Sequence, residues 1–137
     1  MILSALGASV ACLLAPPLVA NASSNAPTCS AHAQLGTGSV SVTFSCSAAI
    51  RRLQLVVPAA TRSSTRPKLQ LGSRAWPCAV AGRMVACTHA VPARRAGAVV
   101  LAWRPDPVVG DPILFTATAP TAKIDLHLTV STPDDGD

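Results

Sequence analysis

The sequence predicts an exported all-β domain, an immunoglobulin-like two-sheet sandwich with two hairpin disulfides. An apolar leader begins the chain, four later cysteines fall into two facing pairs, and the other segments alternate apolar and polar residues between Gly and Pro turns. The 137 residues give room for one domain, and half of them are hydrophobic. Since only 3% are aromatic, the core must be mainly aliphatic.

Residues 1–22 have the composition of a signal peptide. The apolar stretch 2–20 runs into Ala20-Asn21-Ala22, a small-x-small pattern that suits signal peptidase. Pro16 and Pro17 would break a membrane-spanning helix. The leader is atypical in having no Lys or Arg before its apolar run. We predict its removal, leaving a secreted chain without an integral membrane segment.

The cysteines that remain after the leader predict two disulfide bonds. Cys12 belongs to the leader, where residues 9–12 match a lipoprotein box only weakly because apolar residues follow them. An even number of cysteines in a short exported chain favours disulfides, and the intervals lack the C-x₂₋₄-C spacing of zinc sites. The four mature cysteines are Cys29, Cys46, Cys78 and Cys87.

The segment 78–87 predicts a hairpin closed by a disulfide. Gly82 and Arg83 suit the centre of a type II′ turn, because Gly occupies its first central position. Counting outward from this turn sets Cys78 opposite Cys87 in a non-hydrogen-bonded pair. Such pairs bring their Cα atoms to about 4.5 Å, within the range that a disulfide accepts.

The segment 29–46 predicts a second hairpin of the same kind. Apolar residues alternate on both sides of the turn at 36–39, so that folding sets Cys29 opposite Cys46. Two independent hairpins that each align their cysteines predict the pairs Cys29–Cys46 and Cys78–Cys87. Each closed loop is expected to stabilise the fold by about 3 kcal/mol.

The remaining strands follow from alternation between turn residues. We predict them at 52–57, 69–71, 98–103, 113–119 and 123–130. Residues 58–67 are predicted to form a loop, and no segment after the leader has a helical period. Seven or eight short strands favour a sandwich over a barrel. The domain is expected to span 23–132, followed by a disordered acidic tail over 133–137.

Part of this pattern resembles a known family. The motif W-x-C…C-T, a later buried strand and a closing Thr-Ala-Thr strand resemble the conserved-repeat, immunoglobulin-like domains of bacterial surface proteins. The resemblance covers about residues 53–119, although Phe115 replaces the family's Asn and Arg replaces its acidic surface. It implies a structural or spacer role at the cell surface, without an assigned activity. The residues that carry it are Trp76-Pro77-Cys78, Cys87-Thr88, 98–103 and 115–119.

The basic residues occupy one part of the chain. Between Arg51 and Arg104 there are ten basic residues and no acidic one, whereas six Asp follow, and the net charge is +5. This stretch could attract an anionic polymer by long-range electrostatics, or it could be an ordinary solvated surface. The candidate anion-binding residues are Arg51, Arg52, Arg62, Arg66, Lys68, Arg74, Arg94 and Arg95.

Nucleic acid is not expected as the partner. The protein is predicted to be exported, and only Trp76 and Trp103 could stack on bases. Trp76 lies beside Cys78, so we expect it to pack against the disulfide rather than to form a ligand platform.

Residues suited to catalysis are scarce. The G-x-S-x-G, P-loop and H-E-x-x-H motifs are absent, and we expect no enzymatic activity, cofactor or metal. Asp125 and His127 share a strand face, so a hydrolase hypothesis requires a pocket that holds both together with a serine. The sequence therefore predicts a secreted structural or interaction module with an unidentified protein partner. The alternative is a binding module for anionic envelope polymers.

Overall fold

The computed structural model describes residues 26–58, 62–63 and 66–133, with the backbone alone at 62–63. The predicted leader therefore lies outside the described residues, as does the predicted tail beyond Pro133. The described part contains twelve strands and no helix, so none of its segments is a helix able to cross a membrane. The strands are β1 (Cys29–Leu35), β2 (Val40–Cys46), β3 (Arg52–Val56), β4 (Arg62–Ser63), β5 (Lys68–Leu71), β6 (Arg74–Pro77), β7 (Ala79–Ala81), β8 (Met84–Cys87), β9 (Gly97–Leu101), β10 (Trp103–Arg104), β11 (Pro112–Thr118) and β12 (Lys123–Ser131).

Ten strands form one hydrogen-bonded series. Its order is β6-β5-β9-β2-β1-β12-β11-β3-β8-β7, and β10 pairs separately with β4. The two halves of the series meet where β1 runs parallel to β12, and the other pairs are antiparallel. The runs β5-β9-β2-β1 and β3-β11-β12 are the D-E-B-A and C-F-G orders of an immunoglobulin domain. The predicted all-β, immunoglobulin-like class is confirmed.

The two halves fold face to face around the core. The ring centroids of Phe44 on β2 and Phe115 on β11 are 5.7 Å apart, although β1 and β12 stand between these strands in the series. In a flat sheet β2 and β11 would be about 14 Å apart. The buried residues between the layers are apolar and mainly aliphatic, and no polar or charged residue of the described part is fully buried.

Both disulfides join the predicted pairs of cysteines. Cys29 pairs with Cys46 across β1 and β2, with their Cα atoms 4.0 Å apart. Cys78 is bonded to Cys87 at a Cα separation of 4.4 Å, one step beyond the β7–β8 ladder. Gly82 has a φ of 60°, which a type II′ turn requires at this position.

In chain order, the strands β6, β7 and β8 lie between β5 and β9, which correspond to strands D and E of the immunoglobulin fold. The strand β6 extends the first half beyond β5, the chain then crosses at Cys78, and β7 and β8 extend the second half beyond β3. The backbone N–H of Cys78 donates to the carbonyl of Pro67 at 2.9 Å. This crossing closes one side of the sandwich, and the second disulfide fixes it.

Two predicted segments differ from the structure. The predicted strand 98–103 is divided, because β9 loses its partner β2 beyond the Leu101–Val40 pair. Trp103 then pairs with Ser63 on β4, within the segment predicted to be a loop. Because such short pairings depend on distant partners, alternation along the sequence does not reveal them.

Gly97 is required by close packing at the start of β9. A Cβ added there would lie 2.6 Å from Cζ of Phe44 and 3.1 Å from Cδ2 of Leu71. We expect Gly97→Ala to lower the free energy of unfolding by about 1–3 kcal/mol, because both core side chains must shift. Urea denaturation measures this loss. Gly36→Ala is the control, since its nearest contact would be the Ser39 Oγ at 3.4 Å; equal losses in both variants would contradict the packing.

Candidate anion-binding site

Five of the candidate basic residues lie at one end of the sandwich. Ile50 and Val91 exchange two backbone hydrogen bonds of 3.0 and 2.8 Å, which places the loop after β2 beside the loop before β9. The turn between β5 and β6 lies at the same end, because Leu69 pairs with Val99 near the start of β9. We call this surface the basic end; its residues are Arg51, Arg52, Arg74, Arg94 and Arg95.

The loop that carries Arg94 and Arg95 is tied to the first disulfide hairpin. The backbone N–H of Arg94 donates to the carbonyl of Cys46 at 2.7 Å, and that of Arg95 donates to Pro92 at 3.2 Å. Arg94 has a φ of 63°, an uncommon left-handed conformation for a residue other than Gly. Such conformations persist where the surrounding structure determines them and often occur at functional sites. The backbone of this loop is therefore anchored to the end of β2 through Arg94.

A cleft of about 400 Å³ opens at the basic end. The Trp76 ring stacks on the His89 ring with centroids 3.7 Å apart and planes 21° apart. The Arg74 Cζ lies 5.9 Å from the centroid of the same Trp76 ring, within cation–π range. The guanidinium is thus oriented by an aromatic ring. The cleft is lined by Leu71, Arg74, Trp76, His89, Ala90, Pro92 and Arg95.

The second guanidinium of the cleft lies close to a glycine turn. Gly72, at the turn between β5 and β6, has a φ of 62°, and an added Cβ there would lie 3.0 Å from a terminal nitrogen of Arg95. The absence of a side chain lets the guanidinium approach the turn. Arg74 and Arg95 therefore line the cleft from two different segments.

No described carboxylate neutralises the basic end. Asp125 accepts a hydrogen bond of 2.8 Å from Thr116, and Asp111 accepts one of 3.0 Å from the backbone of Val108. In the described ranges none of the basic residues of this end forms an ion pair with an acidic side chain. The described residues therefore offer these guanidinium groups no carboxylate partner.

His89 adds a polar group to the cleft. Its Nδ1 lies 2.8 Å from the Ala90 carbonyl oxygen, which can only accept a hydrogen bond. Nδ1 is therefore the donor, and in the neutral ring Nε2 carries the free lone pair.

The other candidate basic residues lie apart from the cleft. Arg66 and Lys68 line a different groove of about 450 Å³, together with Val100. The backbone of Arg62 pairs with that of Arg104, whereas its side chain lies outside the described part. The structure therefore separates the predicted set into the basic end and at least one other surface.

The role of Trp76 differs in part from the expectation. As predicted, it packs against the core beside the disulfide. Its contact with His89 was not predicted, although continuing the register of the second hairpin outward from Cys78 and Cys87 sets Trp76 opposite His89. The hairpin pattern therefore contained the signal for this aromatic pair.

The surroundings of His127 do not support the hydrolase hypothesis. Both Asp125 and His127 are exposed on β12. The groove that His127 lines is bordered mainly by Val, Pro and Leu side chains and by Arg83, and it contains neither Asp125 nor a serine. This groove, formed by described residues, is therefore not the pocket that the hypothesis requires.

Comparisons with known proteins concern the fold alone. No protein-family model and no curated protein matches the chain, so membership of the conserved-repeat family stays a prediction. The major pilin subunit BcpA of Bacillus cereus is similar over 78% of this chain and 40% of its own, at 8% identity and a TM-score of 0.48. BslA, described as a bacterial hydrophobin, is similar over 78% and 99%, at 12% identity and a TM-score of 0.46. This chain spans less than half of the pilin.

Proposed function

We propose that this domain is a secreted, non-catalytic interaction module that binds an anionic polymer through its basic end. The observation that carries the proposal is the pair of guanidiniums, from Arg74 and Arg95, that line one cleft and have no acidic partner among the residues that the structure describes. Arg side chains bind carboxylate and phosphate groups with two parallel hydrogen bonds. The contact of Arg74 with Trp76 reduces the side-chain freedom that binding must remove.

The spread of charge favours a polymer over a single small anion. Arg51, Arg52 and Arg94 extend the positive surface beyond the two arginines of the cleft. A chain with repeated charges can contact the cleft and this surrounding surface together, whereas one small anion occupies the cleft alone. The net charge of +5 adds long-range attraction, which increases the rate of encounter.

The disulfides favour an extracellular partner. Such bonds persist in oxidising compartments and are rare in the cytosol. We therefore expect the ligand among the polyanions of the envelope or of the extracellular matrix, with uronate or phosphate groups as the charged units.

Removing both cleft arginines tests the proposal. We expect Arg74→Ala with Arg95→Ala to weaken binding to an immobilised polyuronate by at least about tenfold at low salt. The slope of log affinity against log salt should fall by roughly 1 to 2, since each lost contact removes somewhat less than one unit and the amount depends on the charge density of the polymer. Biolayer interferometry across a salt series measures both quantities.

The matched control removes the same charge elsewhere. Arg66→Ala with Lys68→Ala lies on the other groove, so we expect a loss of affinity of less than about threefold, from reduced long-range attraction. If both double variants bind equally weakly, net charge alone explains the binding and the cleft has no special role. If the wild-type protein binds neither polyuronate nor polyphosphate, the proposal is wrong.

A further inference from the structure

One edge of the sandwich is left open along β12. This strand is nine residues long, and β1 pairs with it only at Ala33 and Gln34. The earlier residues of β1 pair instead with β2, beginning with Cys29 opposite Cys46. The first part of β12 therefore faces no described strand on this side.

The hydrogen-bonding pattern shows which backbone groups lie on the open edge. Ala122 exchanges hydrogen bonds with Ala119, and the N–H of Val130 donates to Asp111. In the antiparallel register of β11 and β12, the even-numbered residues of β12 thus bond to β11. Alternation directs the backbone N–H and C=O groups of the intervening residues toward the open edge, namely those of Lys123, Asp125 and His127.

The two end strands of the series are protected by shortness or by Pro, whereas β12 is long and contains no Pro. The strand β7 has three residues and β6 ends in Pro77, and both shortness and Pro discourage pairing with another chain. The strand β12 has neither protection. Its inward-facing Ile124, Leu126 and Leu128 are only partly buried, unlike Val130, where β1 covers the edge.

We propose that this edge pairs with β12 of a second copy of the chain, in antiparallel orientation, with Ile124 opposite Ile124 of the second copy. This register sets Lys123 opposite Asp125 of the second copy and, by the two-fold symmetry, repeats the contact. Opposite charges that face each other across strands stabilise the pairing. The contact also covers the Ile124 side chains.

Neighbouring registers are less compatible with the chain. A dimer centred on Asp125 would place two carboxylates opposite each other, and one centred on Lys123 would do the same with two ammonium groups. A dimer centred on Leu126 would bring Lys123 of the second copy to Thr129, beside the Val130 position where β1 already occupies the edge. Only the register centred on Ile124 combines opposite charges with an unoccupied edge.

Amide hydrogen exchange of the purified protein over a concentration series tests the pairing without any substitution. The N–H groups of Lys123 and Asp125 should exchange at least about tenfold more slowly when sedimentation shows dimers. Those of Ile124 and Leu126, which bond to β11, should be protected at every concentration. A monomer at all concentrations up to millimolar would overturn the proposal. Protection of Asp125 that does not depend on concentration would also overturn it, since a segment of the same chain would then cover the edge.

Charge reversal tests the register. Lys123→Asp places carboxylates opposite each other and should weaken dimerisation by at least about tenfold, whereas combining it with Asp125→Lys should restore the dimer. Lys68→Asp makes the same charge change on another surface and should leave the dimer unchanged. Dimerisation that is insensitive to Lys123→Asp, or that is not restored in the double variant, would show that the register is wrong.

Discussion

Replacing Cys78 and Cys87 together by Ala should lower the free energy of unfolding by about 3 kcal/mol, because the bridge removes loop-closure entropy from the unfolded chain. The bond also fixes the place where the chain crosses between the two halves of the sandwich. Trp76 and His89 lie two residues outside the two cysteines, so their stacking should loosen when the bond is absent. Denaturant titration measures the stability, and the indole N–H resonance of Trp76 reports the stacking.

The other disulfide provides the matched control for this prediction. Replacing Cys29 and Cys46 by Ala should also cost about 3 kcal/mol, yet it should leave the Trp76 resonance near its wild-type position. A loss below about 1 kcal/mol for the Cys78 and Cys87 variant would contradict the role assigned to the crossing. So would an identical change of the Trp76 resonance in both variants.

Phe115→Ala should have an effect at least as large, lowering the free energy of unfolding by about 3–5 kcal/mol. Phe115 is fully buried on β11 and meets Phe44 from the opposite layer, so its truncation leaves a cavity between the layers. Thermal and chemical denaturation measure the loss. The size of the effect tests whether the two halves of the strand series truly pack against each other.

A residue on the other face of the same strand serves as the control. Thr118 is only partly buried, and we expect Thr118→Ala to change the stability by less than about 0.5 kcal/mol. If Phe115→Ala cost no more than Thr118→Ala, the face-to-face arrangement would be wrong.

The two hairpins could be predicted from the sequence because each depends on local information. A turn residue such as Gly82 and strict alternation set the register, and the cysteines then had to face each other. The order of the remaining strands could not be predicted in this way. The parallel contact of Ala33 with Val130 joins residues 97 positions apart, and no local pattern specifies it.

The insertion of β6 shows a second limit of prediction from sequence. Residues 74–77 read Arg-Ala-Trp-Pro, which lacks clear alternation and ends in Pro, yet they pair with β5 because a partner edge is available. Pro is tolerated there since β6 is an edge strand. Whether such a segment forms a strand depends more on its tertiary context than on its own sequence.

The candidate site could be predicted only as a set of residue types. The uneven distribution of charge indicated a basic surface, but separating Arg74 and Arg95 from Arg66 and Lys68 required the topology. The turn between β5 and β6 places the first pair at the cleft, whereas the second pair lies in a different groove. His89 was recoverable from the sequence, by continuing the register of the second hairpin.

The central claim is that a polyanion binds in the cleft of the basic end. Titrating a short polyuronate into isotopically labelled protein and following the NMR spectrum tests it most directly. We expect the largest shifts at the side-chain N–H signals of Arg74 and Arg95 and at the ring signals of Trp76 and His89. Shifts centred on Arg66 and Lys68, or small shifts spread over every basic residue, would contradict the claim.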